Sequence, residues 1–122
     1  MNWSAAGAIA LALGVILGAF GAHELRGRLD AYLMSVYEKA VLYHFIHALG
    51  ALIVSLMPKT GAITESKAGW VCGLLLGGVA IFSGSLYALA ITGRLWLGAV
   101  TPIGGLAFIA GWLLLAWALI RK

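Results

Sequence analysis

Four apolar stretches, residues 3–22, 39–57, 68–92 and 102–120, constrain this chain more than anything else in it. Each is close to the ~20 residues that a helix needs to cross a bilayer core. Lys39 is the only Asp, Glu, Lys or Arg within them, and it stands at a segment end where its side chain can reach the headgroups. Backbone polar groups in lipid must be satisfied within their own segment, so these stretches are expected to be helices. Composition points the same way, with 63% of the 122 residues hydrophobic and 10% charged. A water-soluble chain this short could not bury so much apolar surface. The expected fold is therefore all-α and integral to a membrane: one domain, residues 1–122, with four transmembrane helices in an up-down bundle. The first stretch has no basic residue before its apolar run and three further apolar stretches after it, so it reads as a span rather than a cleaved leader.

The connections are short. "HELRGRLDAYLMSVYEKA" (23–40) places Leu25, Leu29, Tyr32, Leu33 and Val36 at helical spacing, with Arg26, Arg28, Asp30 and Lys39 elsewhere. This pattern predicts an amphipathic interfacial helix between the first and second spans, with room to run on into the second span; the alternative is an ordinary soluble loop, because Gly27 weakens a helix. "PKTGAITESK" (58–67) reads as a polar turn with Pro and Gly breakers, and "GRLWLGAVTP" (93–102) as an interfacial connection. An even number of spans puts both ends on one face of the membrane, here side A, together with the 58–67 turn. Side A carries Lys59, Lys67, Arg121 and Lys122, and side B carries Arg26, Arg28, Lys39 and Arg94. This balance leaves orientation open. The net charge of +4 is scattered over segment ends and suits anionic headgroups, not nucleic acid. Trp3, Trp70, Trp96 and Trp117 lie near segment ends as interfacial anchors, whereas Trp112 is expected to pack between helices. Ala6, Ala10, Gly14, Gly18 and Ala22 repeat every four positions, as do Gly73 with Gly77 and Ala107 with Gly111. Such seams allow the close helix approach that lipid does not otherwise drive. They serve packing within the chain or in a homo-oligomer.

Polar side chains gather toward side B: His23, Tyr37, Tyr43, His44 and His47, then Ser83, Ser85 and Tyr87, then Thr101. Buried in lipid they must find partners, so they are expected to hydrogen-bond across helices. His44 and His47 are three residues apart on one helix and are expected to face one cavity. Three readings follow. Each ring locks the bundle through hydrogen bonds; or the rings bind the oxygens of a polar-headed lipid or a quinone; or they ligate haem or a metal. A closed zinc site needs four ligands, or three plus water, and Cys72 and His23 lie too far from the histidine pair in depth to complete one. No metal site is expected from a single chain, and a cofactor is not required. No span carries the carboxylate that a pump or transporter would use. Ser83 and Ser85 lie in "FSGSLY", which is not a nucleophile elbow. The expected role is thus non-enzymatic: an accessory, scaffold or lipid-contacting protein, with a quinone or haem binder as the alternative. Its expected partners are membrane lipids and further copies of itself.

Taken together, "GAFGAH" (18–23), "YEKAVLYHFIHA" (37–48), "FSGSLYALAITG" (82–93) and "LGAVTPIGG" (97–105) resemble the domain of unknown function 423 family. These are small bacterial membrane proteins, with a related mitochondrial-type transmembrane protein in animals. The resemblance covers nearly the whole chain and differs locally only at Ile81, where Leu is expected. It implies a four-helix protein of the bacterial inner membrane. It assigns no activity and no ligand residues.

Overall fold

The structure, a computed structural model, describes residues 1–121; Lys122, counted above with the side-A cations, lies outside them. Helix α1 (Trp3–Phe20) is continued by a wide turn, Gly21–Leu25, closed by the Arg26 N–H on the Gly21 carbonyl five residues back. Helix α2 (Ala31–Leu56) ends in a tight turn, Met57–Thr60. Helices α3 (Glu65–Gly78) and α4 (Gly84–Thr92) are joined through a second wide turn, Val79–Ser83, into one rod. A tight turn at Leu95–Ala99 leads into α5 (Thr101–Ile120). The four rods Trp3–Leu25, Ala31–Thr60, Glu65–Thr92 and Leu95–Ile120 are each long and apolar enough to cross a membrane. No strand occurs among the described residues.

Local chemistry explains the boundaries. The side chains of Asn2, Asp30 and Thr64 accept from the N–H groups of Ala5, Leu33 and Lys67, capping α1, α2 and α3. Thr92 is followed by Gly93 at φ 72°, a left-handed position that ends α4 cheaply only for glycine. Pro102 stands in the first turn of α5, where its missing N–H has no helical partner to lose.

The amphipathic interfacial helix is not present. Residues 26–30 form a turn, with Gly27 at φ 90°, and residues 31–38 are the opening turns of α2 itself. An exposed ion pair from Arg26 Nη2 to Glu38 Oε2, 3.1 Å, spans the turn. The helical spacing of apolar residues has a different cause from the one expected. Leu25, Val36 and Tyr37 are buried against Ala40, Leu86, Leu89 and Ala90, with Leu29 and Leu33 packed on the same cluster. Apart from Tyr32, which is exposed, the apolar face meets the rest of the bundle.

The rods are arranged with α2 and the third rod in the middle, α1 against α2, and α5 against α3 and its wide turn. Close approach explains the seams. Gly14 and Gly18 sit over Phe45 and Val41 of α2, whereas Ala6 and Ala10 are turned toward the third rod. Gly111 meets Leu75, and Gly104 lies directly on the backbone of Phe82. Gly73 faces Trp3, while Gly77 has open space before it. Trp112 lies over Gly50 of α2, as its off-centre position suggested, but keeps part of its ring exposed.

Candidate functional site

Helix α2 carries both histidines, and its length sets their depth. It starts at Ala31 rather than Lys39, which adds about 12 Å of helix on side B. Gly14, Phe45, Gly78 and Phe108 stand near the middles of the four rods, and contacts pair Gly14 with Phe45 and Gly78 with Phe108. His44 is adjacent to Phe45, so it lies at the midplane rather than in the side-B half. His47 is one turn further toward side A.

The two rings do not share a cavity. Residues three apart on a helix differ by about 60° in direction, and a central helix has neighbours on both sides to receive them. His44 turns to α1 and α4: its Nε2 is 2.7 Å from the Ala10 carbonyl and its Nδ1 is 2.8 Å from the Tyr87 hydroxyl. His47 turns to α5 and stacks on Phe108, with ring centroids 3.5 Å apart and planes 12° from parallel. Its Nδ1 donates to the Tyr43 carbonyl one turn back, at 2.8 Å. Tyr43 and Trp112 flank it, and Phe82 closes the aromatic cluster against Tyr43 and Phe108.

The remaining polar residues split between helix-to-helix links and local bonds. The Tyr37 hydroxyl donates to the Leu17 carbonyl of α1, and its ring packs on Tyr87 at 5.2 Å. Ser83, wholly buried, donates to the Ala40 carbonyl at 2.7 Å. The Ser85 hydroxyl lies 2.9 Å from the Phe82 carbonyl and shares a 2.6 Å hydrogen bond with the Thr101 hydroxyl. His23 is exposed in the first wide turn and joins none of these groups. Among these side-B residues, His44–Tyr87 and Ser85–Thr101 link side chain to side chain across rods; backbone carbonyls receive most of the rest. On side A, Ser4 and Ser55 pair at 2.8 Å, and the Cys72 thiol donates to the Ala51 carbonyl.

The His44–Tyr87 pair borders open space. A groove of about 440 Å³ runs between α1 and the third rod. Ala6, Ile9 and Leu13 form one wall and Leu76, Ala80 and Gly84 the other, with His44, Tyr87 and Ala10 also lining it. The wide turn Val79–Ser83 shapes this wall. Its Gly84 N–H reaches back five residues to Val79, and the extra residue re-phases the helix beyond it. Ser83 is thereby turned to α2 while Gly84 and Tyr87 face the groove. The sequence reading missed Ala10 and Gly84. A backbone carbonyl leaves no trace in residue identity, and Gly84 was signalled only as a small residue within "FSGSLY". A second crevice, about 550 Å³, opens at the side-A end between Trp3 and Trp70, with Glu65 and Ser66 among its lining residues. Among the described residues, no cluster of three or more His, Cys, Asp or Glu could hold a metal ion.

Comparison with known proteins places this architecture. The family described as "Protein of unknown function (DUF423)" matches residues 17–105. The chain belongs to this family. It is 53% identical to a UPF0382 membrane protein of Staphylococcus haemolyticus over 89% of this chain and 87% of the relative. It is 48% identical to one of Staphylococcus epidermidis, over 94% and 92%. It is 42% identical to the UPF0382 membrane protein YwdK of Bacillus subtilis, over 94% and 93%. No solved structure matches. The relatives are named as membrane proteins, in keeping with the four rods found here. The family description names no activity, so any role must be argued from the site itself.

Proposed function

We propose that this DUF423 protein is a non-enzymatic protein of the bacterial cytoplasmic membrane that holds a lipid-soluble guest in the groove between α1 and the third rod. The observation that carries this reading is the groove itself, with aliphatic walls and one hydrogen-bonded pair, His44 and Tyr87, at its lining. Its volume lies in the range of small-molecule sites, which are largely apolar with few polar groups to fix orientation. A non-enzymatic role is supported by what the hydroxyls do. Ser83 and Ser85 donate to carbonyls, and the histidine facing the groove is bonded to a tyrosine rather than to a serine. A quinone-like or lipid guest is favoured over haem because an axial bond needs a free imidazole nitrogen. His44, the histidine that lines the groove, has both nitrogens in hydrogen bonds, and His47 is turned away from the groove toward α5. A protein that binds without transforming serves as an accessory to some other membrane machinery.

Gly84→Leu tests this reading. Gly84 is helical, lines the groove, and its missing Cβ would meet nothing within 4 Å, so a larger side chain there projects into the groove. Solvent extraction and mass spectrometry of the purified wild type should find a neutral amphiphile that Gly84→Leu retains at about a tenth of the level, the loss of ~1.4 kcal/mol. Equal retention by both proteins sinks the groove. A Soret band that disappears in His44→Ala would replace the reading with haem.

A further inference from the structure

The hydrogen bonds beside the groove have a fixed polarity, and it selects the chemistry of the guest. The Ala10 carbonyl can only accept, so His44 Nε2 carries a proton and donates at 2.7 Å. A charged imidazolium at the bilayer midplane is costly, so the ring is neutral and its Nδ1 offers only a lone pair. The Tyr87 hydroxyl, 2.8 Å away, must then donate to that nitrogen. A phenol has one proton. Once it is committed to His44, the Tyr87 oxygen has only acceptor capacity left. Tyr87 is half-buried and lines the groove, so a guest meets an acceptor and no side-chain donor.

Depth removes the ordinary lipids. His44 lies beside Phe45 in the middle layer of the bundle, roughly 15 Å from either edge of the hydrocarbon core. The phosphate and glycerol of a phospholipid stay at the interface and do not reach that level. We propose that the groove takes an uncharged, lipid-soluble alcohol or phenol, its O–H donated to the Tyr87 oxygen and its tail laid along Ile9, Leu13 and Leu76. The proposal rests on the groove reading above and adds the sign of the hydrogen bond. Prenylated quinols and prenyl alcohols share this chemistry.

The test is partition between nanodiscs that contain the protein and empty ones. The probes are a prenylated quinol, its quinone and its dimethyl ether, together with farnesol and farnesyl methyl ether. The wild type should hold the hydroxyl forms about three- to tenfold more tightly than the ethers, as one hydrogen bond in a membrane allows. The quinol should likewise exceed the quinone, which can only accept. Gly84→Leu should weaken every probe alike. Retention of the quinol without farnesol identifies a quinol; retention of both supports the broader class. Equal binding of alcohol and ether by the wild type overturns the proposal while the groove reading survives, because a guest is still held. A preference for quinone over quinol does the same. If no probe enriches in protein-containing discs, both fail. The wild-type comparisons stand even if a variant folds poorly.

Discussion

At Gly104 there is no room for one more carbon: a Cβ there would fall against the backbone nitrogen and Cα of Phe82. Backbone cannot rotate away as a side chain can, so Gly104→Ala must push α5 off the third rod. Overpacking of this kind typically costs ~1–3 kcal/mol, and thermal unfolding in detergent should show it as a clear drop in Tm. Ser83→Ala makes the useful contrast. Ser83 is fully buried and gives the Ala40 carbonyl a bond, yet that carbonyl also lies within helix α2 and keeps its helical partner. The loss should be under about 1 kcal/mol, in line with interhelical side-chain bonds in membranes. A Ser83→Ala variant that melts lower than Gly104→Ala would contradict this ordering. The polar residues were legible as types, since a histidine or serine in an apolar run stands out. Their partners were not, because most are carbonyls that every residue carries.

Helix α2 shows what pattern does and does not say about an element. The spacing of Leu25, Leu29, Leu33 and Val36 identifies one apolar face without naming what covers it. Membrane surface and neighbouring helix demand the same periodicity. Asp30 decides where the helix starts, its carboxylate accepting the Leu33 N–H at 2.8 Å. Asp30→Ala should fray the first turn at a cost of ~1 kcal/mol, the usual value of an N-cap, seen as faster amide exchange at residues 31–34. In the wild type, the amides of Val36 and Tyr37 should exchange as slowly as those at the centre of α2. Both residues are buried and the helix is continuous through them. Exchange faster there than in the rest of α2 would restore a separate surface helix.

Across the whole molecule the aromatic cluster around Phe108 ties α5 to α2 by side chains. Phe108 covers His47 and fits against Gly78, with Tyr43 and Phe82 beside it. Phe108→Ala should cost about 3 kcal/mol, the low end of such truncations in soluble cores. Lipid as the alternative surroundings removes the transfer part and leaves the lost packing; an unchanged Tm in detergent would show the cluster to be dispensable. Topology is testable with single cysteines at Thr60 and Arg28, which should label from opposite faces of sealed vesicles. Native Cys72 should stay unlabelled because it is fully buried and its thiol is bonded to the Ala51 carbonyl. Sequence alone determined the class: four apolar segments of bilayer length leave helices as the only way to satisfy their backbones. It also determined which side chains would need partners. Only the packed structure decided that His44 and His47 part company, that the expected surface helix packs into the bundle as the opening of α2, and that a groove opens beside Tyr87. Those outcomes depend on how rods are rotated and spaced against one another. That is settled by glycine contacts and one re-phasing turn between segments distant in the chain, and no periodicity within a single segment encodes it.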